Sequence, residues 1–162
     1  MGLPEIRAAL QTIIDGLVPT YNPALPYHRH TGSASHGQTY EDAVVISPGR
    51  MYLITLAEQP TDSQWSSGGV LDYAVATLEL SVSYPIAGWT SLEELQDTME
   101  SDTLDLVCAL RPVAGWDAVA RNLIVGGEQP PTMIEVTGDD SEEVVAHITK
   151  IKIGVEYATG RQ

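Results

Sequence analysis

The chain has one cysteine, no phenylalanine, and only eight Lys and Arg against 22 Asp and Glu in 162 residues. A single cysteine excludes an internal disulfide framework and any zinc site built from several thiolates. Its surroundings, "DLVCAL", read as helical and apolar, so Cys108 is expected to be a buried, inert thiol. No apolar run approaches the roughly 18 residues that a membrane helix needs. The opening "MGLPEIRAAL" has neither a basic segment nor a long apolar core, so it does not read as a secretory signal. These features suggest a protein made and used in a reducing cytoplasm.

The shortage of cations gives a net charge of −14. It is unevenly spread: residues 1–40 balance Glu5 and Asp15 against Arg7 and Arg29, whereas no Lys or Arg falls between Met51 and Leu110. Binding nucleic acid requires cations against phosphates, and a surface of this sign repels them instead. It also resists nonspecific association, unless a basic partner covers it.

The length suits one domain with a sizeable core. "PEIRAALQTIIDGL" predicts an amphipathic helix over about 4–17, with Ile6, Leu10, Ile13, Ile14 and Leu17 at helical spacing. Residues 18–41 carry Pro19, Pro23 and Pro26 with scattered polar residues, and are expected to form a long irregular loop. The stretch 42–84 reads as β-rich: "DAVVIS" and "RMYLITLA" could form a hairpin about Pro48–Gly49. "VLDYAVATLELSVSY" alternates Ala74, Ala76, Leu78, Leu80, Val82 and Tyr84 against a wetter side with Thr77, Glu79, Ser81 and Ser83. A second helix over about 91–110 opens on "SLEE", Ser91 serving as N-cap with Glu94 three residues on. Leu92, Leu95, Met99, Leu106 and Leu110 supply its apolar face, Glu93, Asp97 and Glu100 its polar one, and "ESDT" a potential break. Residues 120–158 read as β again. In "EEVVAHITKIKIGVEYA" the apolar parity switches near Thr149–Lys150, which suggests a bulge or bend. The resulting class is α+β, two helices packed on a mainly antiparallel sheet.

Three of the four histidines, His28, His30 and His36, fall within nine positions of one loop. An H-x-H pair on a strand directs two imidazoles to one side and suits zinc, so a small metal-dependent enzyme using these three is one reading. Pro26 and Gly32 argue against a regular strand there, no carboxylate follows His30 until Glu41, and His147 lies far away in sequence. The better reading is a polar loop, with no metal and no cofactor. "SASHG" falls short of a nucleophile elbow, because Ser33 stands where the first glycine belongs and no strand precedes Ser35. "TGDDSEE", with Asp139, Asp140, Glu142 and Glu143, lacks calcium-loop spacing and reads as a solvated turn. Gly68–Gly69 and Gly126–Gly127 read as turns, not phosphate loops. Trp89 and Trp116 are expected to anchor loops to the core, while Trp65, in "TDSQWSSGG", is a candidate anchor for a partner. Nothing assembles into a catalytic constellation, so no enzyme is expected.

The order of elements resembles the tail terminator, or tail completion, proteins of tailed bacteriophages and related head–tail neck components. The likeness runs from residue 1 to about 157. It rests on the N-terminal helix, the proline-containing loop, "VLDYAVATLELSVSY", "SLEELQDTMESDTLDLVCAL" and the closing "HITKIKIGVEYA". It implies a structural virion protein: a ring-forming homo-oligomer, usually a hexamer, that caps the tail tube and contacts tail tube protein and a head-side connector protein. DNA would pass through without specific binding, and no membrane is involved. Assembly would occur in the host cytoplasm. The loops at 18–41 and 58–70 exceed what a minimal version of such a fold needs. Closing strand edges across subunits makes the loop and the strand at 71–84 interface candidates, with Tyr21, Tyr27, His28, His30, Trp65, Tyr73, Thr77 and Glu79 as the residues. Candidates to face the channel are Glu93, Asp97, Glu100, Asp139 and Asp140. A monomeric binding domain for a basic partner is the remaining alternative.

Overall fold

The computed structural model describes residues 2–30, 49–62, 73–86, 89, 91–111, 122–125, 132–137 and 144–158. The first helix, α1, spans Leu3–Gly16, and the Glu5 carboxylate accepts the Gly2 N–H at 2.8 Å, meeting one of the donors a helix start leaves unpaired. Three strands follow: β1 (Tyr27–Arg29), β2 (Arg50–Asp62) and β3 (Tyr73–Pro85). The second helix, α2, spans Leu92–Ala109, and β4 (Asn122–Val125), β5 (Thr132–Thr137) and β6 (Val144–Ala158) complete the order. The strands form one mixed sheet, ordered β1-β2-β3-β6-β4, with β5 also paired to β6. β1 runs parallel to β2, and every other pairing among the described residues is antiparallel. Among the described residues, two helices and a mixed, mainly antiparallel sheet make an α+β fold.

The core forms where the predicted stripes meet. Ile6, Leu10 and Ile14 of α1 and Leu95, Met99 and Leu106 of α2 pack on one sheet face, against the even-numbered residues Ala74 to Tyr84 of β3 and Ile151, Ile153, Val155 and Tyr157 of β6. Fully burying one such aliphatic side chain is worth about 1.5–3 kcal/mol. Two expectations for α2 fail. The helix runs unbroken through "ESDT", because Asp102 there turns inward and is fully buried. Leu92, expected in the core, is 57% exposed, lying in the first turn before the helix meets the sheet.

The expected bulge in β6 is also absent where β6 meets β3. The ladder keeps one register without interruption from Tyr73↔Ala158 to Pro85↔Ala146. The parity switch has a different cause: the two halves of β6 bury opposite faces. Beyond Thr149, Ile151 to Tyr157 face the helices. Before it, Ala146 and Ile148 are buried on the other face, with their ladder neighbours Pro85, Ser83 and Met51. Ser83 was expected on the wet side, yet it is fully buried there and its hydroxyl donates to the Met51 carbonyl at 3.1 Å. Register slips fall elsewhere: in β2 against β3, between Leu56 and Glu58 and again between Glu58 and Thr61, and at the start of β6, where Val136 pairs with Ala146 but Thr137 with Val144.

The loop expected over 18–41 is not wholly irregular. Tyr27–Arg29 pairs with Arg50–Tyr52, and the ladder continues as the His30 N–H donates to the Tyr52 carbonyl at 2.8 Å. Pro26 precedes this strand, a position where it removes no ladder hydrogen bond. The expected strand "DAVVIS" lies outside the described residues.

Candidate functional site

The densest polar construction among the described residues is a buried knot around Arg50. Gly49, at φ 87°, turns the chain into β2 and sets Arg50 on the parity of Tyr52 and Ile54, pointing under the helices. Its Nε donates to Asp102 Oδ2 at 2.5 Å, both side chains being fully buried. One terminal nitrogen donates to the carbonyls of Asn22 (3.0 Å) and Leu25 (2.5 Å), and the other to the carbonyl of Tyr21. The Tyr27 and Trp89 rings flank the guanidinium, their centroids 5.7 and 5.5 Å from its carbon. Tyr84, whose ring centroid lies 6.2 Å from that of Trp89, donates its hydroxyl to Asp102 Oδ2 at 2.8 Å. One cation thus ties a loop, a strand and a helix together.

The electrostatics follow from burial. Desolvation holds the Asp102 carboxyl above the ordinary carboxylate range even though Arg50 and Tyr84 favour its ionised form. Tyr27 and Tyr84 are pushed well above their ordinary range, first by burial and then by the Asp102 charge. Among the described residues, Asp102 Oδ1, the Tyr27 hydroxyl and Trp89 Nε1 are buried without a hydrogen-bond partner.

A second, more exposed cluster fixes β1 to α1. Arg29 reaches Asp15 Oδ2 at 2.5 Å and the Tyr52 hydroxyl at 3.1 Å, while Tyr52 donates to Asp15 Oδ1 at 2.5 Å. Burial works to raise the Asp15 carboxyl, but the Arg29 and Tyr52 donors outweigh it and hold the group below its usual range. Between the clusters, the Thr20 backbone N–H and hydroxyl both donate to Asp105, and Asn22 Nδ2 donates to Glu94 and Thr98 on α2. The Glu94 N–H donates in turn to the Ser91 hydroxyl at 3.1 Å, as expected of an N-cap.

The residues singled out in the sequence are dispersed. Tyr27, expected at an interface, is only 5% exposed and buried within the chain itself, because β1 turns it toward Arg50. Tyr21, at 48%, is displayed outward. His28 and His30 are half-buried on and just past β1; His36 lies outside the described residues, among which no group of three His, Cys, Asp or Glu side chains converges. On the sheet face away from the helices, the Thr77 hydroxyl donates to Glu58 at 3.4 Å and Glu79 lies 3.5 Å from Lys150 Nζ. Tyr73 opens β3 opposite Ala158. Glu93, Asp97 and Glu100 share the exposed face of α2. Trp65, Trp116, Asp139 and Asp140 lie outside the described residues. Cys108, expected to be buried, is exposed: two residues past Leu106, it falls on the opposite side of the helix.

Arg50 and Asp102 were missed by motif reasoning, yet a signal was present. Asp102 sits within the stripe Leu95–Met99–Leu106, and Arg50 within the alternation Arg50–Tyr52–Ile54. A charge in phase with a core pattern demands a buried counter-charge.

The fold is α+β, and the two polar clusters tie the loop, the helices and the sheet together. No protein-family model matches the chain, and no curated protein matches it. Solved structures do match. One of them aligns over 100% of this chain and 96% of its own at 19% identity, with a TM-score of 0.42, a likeness too loose to assign a family.

Proposed function

We propose that the chain is a structural subunit of a tailed bacteriophage, a tail terminator that forms a ring on the tail tube and joins tail to head. The observation that carries this reading is the element order itself: amphipathic α1, a proline-containing loop, the long pair β2 and β3, α2, and a long closing strand. The electrostatics support it physically. The exposed face of α2 presents Glu93, Asp97 and Glu100 on a chain of net charge −14. Carboxylates lining a passage let a polyanion slide because they repel its phosphates.

The test is oligomeric state by native mass spectrometry, alone and after mixing with tail tube protein. A closed ring, with six copies as the expected number, that binds tubes supports the reading. Binding to portal-bearing heads in place of tubes moves the protein to another neck position. A monomer at all concentrations that binds neither overturns it, as does stoichiometric metal lost on replacing His28, His30 and His36 together with a metal-dependent turnover.

A further inference from the structure

We propose that residues 17–26 form a strap that opens and closes as one unit, held shut by Arg50, and that its opening uncovers the flank of α2 bearing Glu94, Thr98 and Asp105. The inference is independent of the phage reading.

The strap is fixed at both ends by structure that does not depend on it. At one end the Leu17 N–H donates back to Ile14 of α1 at 3.1 Å; at the other, β1 is laddered to β2. Between those anchors the strap contributes little apolar burial. Val18 is 72% exposed, and Tyr21, Pro23, Ala24 and Pro26 are exposed; Pro19 is buried, Leu25 is half-buried, and Leu17 packs on the core at the anchored end. What closes it is a set of directional polar bonds: the three carbonyls on Arg50, Thr20 on Asp105 and Asn22 on Glu94 and Thr98. Asn22 also holds φ 48°, a left-handed conformation that those bonds maintain.

Opening leaves no charge stranded. Arg50 keeps Asp102 as its partner and exchanges three carbonyls for water, while ten residues regain backbone freedom. Opening the sheet instead would expose the whole core. Segments with few buried apolar contacts occupy the low end of a protein's stability range, and this one has a defined hinge at each end.

Native-state amide exchange by NMR on the full chain tests the proposal. The reporters are the Thr20 amide, bonded to Asp105, and the Leu25 amide, bonded to the Asn22 carbonyl. Both are expected to exchange at a shared opening constant at least ~100-fold above that of amides in the β3–β6 ladder, with weak denaturant dependence. Thr20→Val is expected to speed both reporters by about tenfold, the worth of one hydrogen bond to a charged group, with the ladder unmoved. Arg50→Met is expected to abolish their protection; if that variant fails to fold, the Thr20→Val comparison decides alone. If the Leu25 amide ignores Thr20→Val, or both reporters exchange with the ladder and share its denaturant slope, the strap is not a separate unit.

Discussion

Replacing Arg50 by Met removes the cation paired with a fully buried Asp102, and frees three carbonyls in the same step. Breaking a buried pair by deleting one partner costs about 3–5 kcal/mol. That is a large share of the ~5–15 kcal/mol that holds an ordinary domain together. At about 2–4 °C per kcal/mol for a chain of this size, Tm falls by roughly 6–20 °C. Asp102→Leu is expected to cost less. It leaves Arg50 charged, but still facing three carbonyl oxygens and the Tyr27 and Trp89 rings, whereas Arg50→Met leaves Asp102 facing neutral partners such as the Tyr84 hydroxyl. The double variant carries no stranded charge and is expected to be no less stable than Arg50→Met, giving a coupling of about 2 kcal/mol or more. Urea denaturation followed by circular dichroism measures all four corners of the cycle. Additive costs, or a loss below ~1 kcal/mol for Arg50→Met, would refute the reasoning, because the pair would then be solvated and not the organising contact of the fold.

Two further outcomes are expected. Ser91→Ala removes the side chain that accepts the Glu94 N–H and should cost about 1 kcal/mol, read as a lower urea midpoint with an unchanged slope. Carboxyl NMR titration should find Asp102 above and Asp15 below the ordinary 3.8. Their effects on stability therefore have opposite signs. The contribution of Asp15 is present above its unfolded value and fades as pH falls through its depressed folded value. That of Asp102 is present below its unfolded value and is lost as pH rises through its elevated folded one.

The sequence displayed most of the frame, because that frame rests on local periodicity. Ile6, Leu10 and Ile14 announce α1, Ser91 marks the start of α2, and the alternation from Ala74 to Tyr84 announces β3. The misreadings share one origin: a local pattern can have a distant cause. "ESDT" looks like a helix break until Asp102 is matched with a residue 52 positions earlier. The parity switch in β6 looks like a bulge until both faces of the sheet are known to be covered at one end. β1 was hidden because its evidence is its partner, not its own proline-flanked composition. The site was less legible still. Arg50 gathers Asp102 and the carbonyls of Tyr21, Asn22 and Leu25 from separate parts of the chain, and no short motif encodes that convergence.

The position of β6 has a consequence for how the molecule comes into being. It follows every other described element in chain order, yet it lies inside the sheet, pairing with β3 along one edge and with β4 and β5 along the other. During synthesis α1, β1, β2 and β3 must wait with β3's inner edge bare, and β4 and β5 emerge before the strand that will receive them. Assembly is thus dominated by late, long-range closure, the slow regime for folding. The nascent chain is exposed to wrong pairings until β6 arrives.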